Sequence, residues 1–336
     1  MQKTNPDFFL VKTVIPWLNS RNMNRLEAVK LVMGNLLCKQ LCLISLLLSS
    51  PVLLAAEVLS VIYPEVKAPY DEIFKQIVKG IEDEYQGPIK LYPLKSEFSV
   101  TDTVQQLDEH NEQMVIALGK SGYQVAKAVY QRKSVAVGAL PIQPNGISGV
   151  SLLAEPKVLF DSLRLLAPSV KRVAVLHTPA NKWLIGRAKA QADQLGLTLL
   201  HIEVSDLKNA VAEYDTLLKA LNPQTDAIWL PLDPITANEQ VILPKLLEYA
   251  WEHNLVLFSS KPEHAKRGAL FSMFPNHYEL GKGLVFMVQK LRSKEIASSV
   301  LPMDKMQLAV NLRTAAHLGF AYNTQLRTNF SIVFNK

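Results

Sequence analysis

Apolar and polar positions along the chain alternate between two periods. Short runs rich in β-branched and other apolar residues end in turn residues, and stretches with apolar positions three or four apart follow them. The short runs are VLSVIY (58–63), IKLYPL (89–94), MVIALG (114–119), SVAVGAL (134–140), RVAVLH (172–177), LTLLHIEV (197–204), AIWLPL (227–232), LVLFSS (255–260) and ALFSMF (269–274). Runs of this length read as strands, and several are apolar almost throughout, as strands covered on both faces must be. Between them, Ile73, Ile77 and Ile81 recur at four-residue spacing, and Val211, Tyr214, Leu217, Leu218 and Leu221 form a second stripe. Both predict amphipathic helices. Strand–helix–strand alternation predicts an α/β protein whose parallel sheets carry helices on both faces. No low-complexity segment and no repeat of about 20–50 residues interrupts it.

Three places break the rhythm. PIQPNGISGVSLLAEP (141–156) holds three prolines and two glycines, and the pattern restarts after it with a helix, PKVLFDSLRLLAP. Further breaks fall near Phe274-Pro275-Asn276, ahead of a helix over 278–293, and near Pro302, ahead of MQLAVNLRTAAHLGF. Three crossings predict two Rossmann-like lobes, hinged around a cleft. The expected division is 57–148 plus about 275–301 for the first lobe and 149–274 plus about 302–336 for the second.

The segment from Leu41 to Ala56 is sixteen residues long and uncharged. It is short for a membrane span, which wants about 20 apolar residues. Ser45, Ser49, Ser50 and Pro51 interrupt it, Lys39 precedes it, and it ends on Leu54-Ala55-Ala56 before Glu57. That layout predicts a secretory signal peptide over 1–56, cleaved after Ala56; a retained membrane anchor is the alternative. Residues 1–32 are a long preface for such a peptide, so Met23 or Met33 is expected to be the true start. Both cysteines, Cys38 and Cys42, fall inside the leader, which leaves the remainder without thiols, as suits an oxidising compartment. Six of the 36 Lys and Arg and two of the 30 Asp and Glu also lie before residue 57, leaving 30 against 28, a net of +2. The pI of about 9.1 is therefore no sign of nucleic-acid binding.

GISGVSLLAEPKVLFDSLRLLAPSVKRVAVLHTPAN resembles a segment of bacterial ABC-transporter substrate-binding proteins of the tryptophan/tyrosine type. ADQLGLTLLHIEVS, DAIWLPLDPIT, HNLVLFSSKPEHAKRGALFSM, YELGKGLVFMVQKLRSKE and LAVNLRTAAHLGF follow in that family's order. The resemblance is good from about Gly146 to Phe320 and weaker over 57–145. It implies a type I periplasmic binding fold that closes on a small solute, amino acid-like or a small carboxylate. It implies a periplasmic location and a monomer that presents its closed form to an ABC permease. A sensor that signals to a membrane receptor is the alternative, and the two outputs have no separate signature in the chain.

In open α/β sheets ligands lie beyond the carboxyl ends of the strands, so candidate site residues are sought in those loops. Tyr63 follows the first run; Lys120 and Ser121 follow the third, in GKSG. A phosphate loop would need a glycine where Met114 stands, so nucleotide binding is not expected. Ser121 could cap a helix start, whose free N–H groups favour an anion. HTPANKW supplies His177, Thr178, Asn181 and Trp183; PLDPIT supplies Asp233; SSKPEH supplies Ser260 and Lys261; Asn276 stands at a crossing. Tyr63 and Trp183 could stack on a flat ligand or belong to the core. Thr178 and Asn181 could bind ligand or cap a helix. Asp233 could hold a ligand ammonium, as an acid in this loop does in relatives, or serve its own turn. Relatives commonly carry acids where this chain has Ser259-Ser260-Lys261, and Asp where it has Asn276. An α-amino acid ligand is therefore in doubt, and an anionic or neutral solute fits at least as well.

Catalytic and metal chemistry find little footing. The seven histidines are scattered with no pairing at three- or four-residue spacing. There is no G-x-S-x-G elbow, and no cofactor is expected. A DNA-binding repressor would need a helix-turn-helix at the N-terminus, where 41–56 is too uniformly apolar.

Overall fold

A computed structural model describes residues 57–335; the leader and both cysteines lie outside the described residues. Among the described residues no helix is long and apolar enough to cross a membrane. The chain builds two sheets. The first has six strands: β1 (Leu59–Pro64), β2 (Ile89–Leu94), β3 (Met114–Leu118), β4 (Ser134–Gly138), β5 (Gly149–Ala154) and β11 (Val300–Met303). They lie in the order β11-β5-β4-β3-β1-β2, and every pair is parallel. The second has seven: β6 (Arg172–His177), β7 (Thr198–Glu203), β8 (Asp226–Leu230), β9 (Val256–Ser259), β10 (Phe271–Pro275), β12 (Met306–Asn311) and β13 (Ile332–Phe334). Their order is β13-β12-β10-β9-β8-β6-β7, with only the β10–β12 pair antiparallel.

Side-chain alternation along each strand feeds two cores per sheet, one on each face. In β1, Leu59 and Val61 enter one core and Ile62 the other. Helices α1 (Asp71–Glu84) and α9 (His277–Arg292) cover the first face, and α2 (Val100–Glu109) and α3 (Gly119–Val129) border the second. In β6, Val173 and Val175 face α4 (Pro156–Leu166) and α5 (Lys182–Gln194), while Ala174 and Leu176 face α6 (Leu207–Ala220) and α7 (Ile242–His253). The remaining helices are short: α8 (Pro262–Arg267), α10 (Leu312–His317) and α11 (Thr324–Arg327). All nine runs read from the pattern as strands are strands.

α1 and α9 touch backbone to backbone. A Cβ on Gly80 would lie 2.0 Å from the carbonyl oxygen of Tyr278, and one on Gly281 would lie 2.1 Å from that of Ile77. Only glycine permits this approach, which lets both helices reach the same sheet face.

The crossings are three, but two are displaced from the expected positions. β5 pairs with β4 and β11, so Gly149–Ala154 belongs to the first sheet and the chain leaves it at Glu155, not at residue 148. The Gly/Pro-rich stretch before β5 is a loop within the first half, and Ser148 there still bonds Val137. β11 also stays in the first sheet, so the third crossing is Asp304-Lys305, beyond Pro302. Proline is tolerated there because β11 is an edge strand. The second crossing falls at Asn276, as expected.

Candidate functional site

All strands of the first sheet run parallel, as do β6 to β10 of the second, so each sheet gathers its strand ends along one rim. The first sheet brings Tyr63 near the start of α3. Gly119 opens α3 directly off β3 with φ +68°, and a Cβ there would meet Pro64 at 3.3 Å. The left-handed backbone and the close approach both call for glycine. Lys120 is exposed and Ser121 half-buried in the first turn. Ser121 does not cap the helix: Leu118 occupies the N-cap, because helical geometry starts two residues ahead of the serine. Tyr63 lines a cavity of about 780 Å³ with Pro64, Phe74, Val78, Pro93 and Tyr278. All of these belong to the first half, so this cavity is not shared between the two sheets.

The second sheet's rim is organised around Asp233, which is 2 % exposed. One carboxylate oxygen accepts from the Thr178 backbone N–H at 3.1 Å, the Thr178 hydroxyl at 2.6 Å and the Asn181 amide at 2.9 Å. The other accepts from the backbone N–H groups of Ile235 at 2.9 Å and Thr236 at 3.1 Å. A carboxylate offers about four lone-pair sites, so five donors saturate it. Burial pushes the Asp233 carboxyl up, but these hydrogen bonds outweigh burial and hold it below its ordinary value. The arrangement gives Asp233 a structural role: it ties the loop after β6 to the loop after β8. Neither oxygen is left for a ligand ammonium, which was one of the two readings of this residue. Thr178 and Asn181 are drawn into the same knot, so neither is a free ligand donor through the groups that reach Asp233.

His177 is 1 % exposed. Its Nδ1 lies 3.1 Å from the Thr178 carbonyl, its Nε2 has no partner among the described residues, and its ring is 5.6 Å from that of His201. Burial, with a smaller push from His201, lowers its pKa, so the ring is neutral near pH 7. Ser260 faces Trp229, whose Nε1 is 3.5 Å away. Lys261 is half-buried and donates to Glu239 at 2.8 Å. Asn276 caps α9, accepting from the Glu279 N–H at 3.2 Å, so its side-chain oxygen serves the helix.

Trp183 is the one candidate that reaches both halves. Its side chain packs on the core around α4 and α5 and also on one core of the first sheet. Its indole N–H is buried with no acceptor among the described residues. An indole donor without a partner costs about 1–3 kcal/mol of desolvation.

The sequence reading did not find two features. Ala139, at the end of β4, takes φ +59°; a non-glycine residue in that region is uncommon, and no sequence signal marks it. Glu239 gathers Lys261, His264 and Arg267, at 2.8, 3.6 and 3.6 Å. His264 is fully buried, contacts the Ser259 hydroxyl through Nδ1 at 2.7 Å, and has its pKa pushed down to about 4 by burial. Ser259 is itself fully buried, so this Ser–His–Glu set is closed to a substrate. No group of three or more His, Cys, Asp or Glu among the described residues is placed to hold a metal.

The sequence model of a family described as ABC transporter substrate binding protein matches residues 92–331. The chain belongs to that family. Similar solved structures include the ligand-free, open form of CD0873 from Clostridium difficile, a substrate-binding protein with adhesive properties. It has a TM-score of 0.56 and 18 % identity over 83 % of this chain and 100 % of that one. Another is an ABC domain in complex with L-Trp from Streptococcus pneumonia, with a TM-score of 0.50 and 20 % identity over 83 % of this chain and 99 % of that one. A conserved domain protein from Vibrio cholerae matches with a TM-score of 0.50 and 16 % identity. A comparison with curated protein sequences finds no match. The fold of this substrate-binding protein is the type I periplasmic binding fold. The family match begins within β2, so β1 and α1 fall outside it.

Proposed function

We propose that this substrate-binding protein is exported, captures a neutral or anionic small solute between its two sheets, and delivers it to an ABC importer without altering it chemically. The observation that carries the reading is Trp183: one side chain from the start of α5 reaches the core of the other half and carries an unpaired N–H. A solute with a flat or apolar part and a hydrogen-bond acceptor meets both needs of that residue. Closure follows from linkage: a ligand that touches both halves binds the closed arrangement better and shifts the population toward it.

The ligand class follows from where charge is left over. Asp233 is saturated by its own loops, and Lys261 is paired with Glu239. Lys120 has no carboxylate within 4 Å among the described residues. The rim therefore offers a cation and hydrogen-bond donors, with no carboxylate free to meet an ammonium at the Asp233 loop.

A thermal-shift screen of the protein against neutral aromatic metabolites, carboxylates and amino acids tests this, because a ligand of the native state raises the melting point. The expected hits are carboxylates or neutral ring compounds, with the shift reduced in Trp183→Ala. A hit confined to cationic amines, or a hit unaffected by Trp183→Ala, overturns the reading. So does chemical conversion of the solute.

A further inference from the structure

The opposite end of the second sheet carries a separate feature. Trp251 ends α7, Lys266 and Arg267 end α8, and Arg313 lies in α10 just after β12. These segments meet where β9 and β10 begin, away from the rim that bears His177, Asp233 and Ser260. They wall a cavity of about 380 Å³ together with Leu247, Glu248 and the backbone around Gly268. That size falls at the lower end of the small-molecule range, about 300–1,000 Å³.

Its charge is lopsided. Three cationic side chains line it against one acid, Glu248. Lys266 and Arg313 have no carboxylate within 4 Å among the described residues, although every residue of the lining is described. Arg267 reaches the Glu239 carboxylate at 3.6 Å and donates to the Glu239 carbonyl at 3.5 Å, in an exposed pair worth little. Like charges that converge on one cavity repel unless an anion joins them. The side chains of Asn311 and Thr314 are already engaged: Asn311 bonds the Ala265 carbonyl at 2.8 Å and Thr314 the Gly268 carbonyl at 3.0 Å.

Arg313 and Trp251 also have neighbours that hold them in the site. The Arg313 guanidinium lies 5.1 Å from the centre of the Trp251 ring. That ring is held by His317, stacked at 3.7 Å and 6°, whose Nε2 lies 2.8 Å from the Trp251 carbonyl. A guanidinium held over an aromatic ring keeps its planar fork of donors for an oxyanion, and carboxylate and phosphate both match that fork. Trp251 remains 39 % exposed, which leaves apolar surface for the body of a ligand.

We propose that this cavity is a second binding site, independent of the cleft, for the carboxylate or phosphate group of a small ligand. Two sources share that chemistry, a free small anion and an anionic lipid headgroup. The test is calorimetric titration of the full chain with inorganic phosphate, with citrate and with phosphatidylglycerol vesicles, at about 0.15 M salt, where diffuse attraction is screened beyond about 8 Å. The expected result is saturable binding of at least one probe, weakened about tenfold by Arg313→Gln, the worth of one charge-assisted hydrogen bond. Lys266→Gln weakens it further, and Trp183→Ala leaves it unchanged. Binding of the free anions assigns the site to a soluble ligand; Arg313-dependent binding of vesicles alone assigns it to a headgroup. Both substituted side chains are exposed, and an unchanged unfolding curve shows that each variant is folded. No binding of any probe, or binding insensitive to both substitutions, overturns the proposal. The cleft reading fails or stands separately, on the Trp183→Ala result.

Discussion

Asp233→Ala removes the acceptor for five donors at once. The Asn181 amide is buried, whereas the hydroxyl of half-buried Thr178 can turn toward water. The backbone N–H groups of Thr178, Ile235 and Thr236 cannot, because the loops that carry them are fixed by β6 and β8. Thr236 is fully buried. Leaving a buried donor unsatisfied costs about 1–3 kcal/mol, and hydrogen bonds to a charged acceptor are worth about 1.5–3 kcal/mol each, though not additively. Breaking the whole knot is expected to cost about 4 kcal/mol, or roughly 10 °C in melting temperature for a chain of this size. Urea unfolding of the ligand-free protein, extrapolated to water, measures the loss. Asp233→Asn keeps the shape but turns an NH₂ toward donors, and should lose nearly as much.

The pH dependence gives the same reasoning a second footing. The folded carboxyl is held below its ordinary value, so the unfolded chain binds the proton more readily. Stability from Asp233 is then fully present above the ordinary carboxylate range and is lost as pH falls through the lowered folded pKa. The gap between wild type and Asp233→Ala should therefore be widest near pH 7 and shrink toward pH 3. A loss under about 1 kcal/mol at pH 7 would contradict a saturated structural carboxylate. So would a variant that keeps its stability yet selectively loses a cationic ligand, since that is the behaviour of a ligand-binding acid.

Three further outcomes are expected. Trp183→Ala should weaken the cleft ligand at least about tenfold by calorimetry, the scale of a lost aromatic contact plus a hydrogen bond. Gly281→Ala should cost about 2–3 kcal/mol in urea unfolding, because its Cβ would sit 2.1 Å from the Ile77 carbonyl and force α1 off α9; full stability would show that the helices can part freely. His264 is buried with a pKa of about 4. A histidine lowered in the folded state lets the unfolded chain take the proton first, so stability falls as pH drops from about 6.5 toward 4, by about 3 kcal/mol from this residue. Unfolding free energies of His264→Gln across that range should be correspondingly flatter.

How much of this was legible depended on whether a segment announces itself locally. The nine strand runs, the helix at α9 and the two-sheet plan follow from periodicity, because fully covered parallel strands must be apolar throughout. β5 was not legible: GVSLLA follows a loop rich in proline and glycine and precedes a proline-led helix, so a break was the local reading. Its place between β4 and β11 is set by β11, some 150 residues later. β11 itself is four residues with a proline, which reads as a non-strand anywhere except at an edge. The site divided the same way. Strand-end position picked out the loops that the structure gathers along each rim, but whether Asp233 faces a ligand or its own chain depends on Thr178 and Asn181 arriving 55 and 52 residues away. No spacing rule encodes that. Ser121 was misplaced as a cap because Gly119 lets the chain turn into the helix straight off the strand.

The saturation of Asp233 bears on how such a cleft divides its labour. An acid that must release two loops to greet a ligand would be a poor ligand group, because each new contact would replace one already made. A knot of five hydrogen bonds instead fixes where the β6 and β8 loops stand before any solute arrives, and binding then spends less on ordering them. Trp183 follows directly from that knot: Asn181, two residues earlier, anchors the start of α5 to Asp233. The indole therefore leaves a rigid base and reaches across to the other half. Loosening the base should blur the aim of the indole, even with the Asp233 oxygens taken up by the chain's own five donors. In Asp233→Asn, ligand affinity should fall together with stability and in the same order across neutral and anionic ligands. A loss of affinity confined to one charge class would mean that the carboxylate meets the solute directly, and the division between base and reach would be wrong.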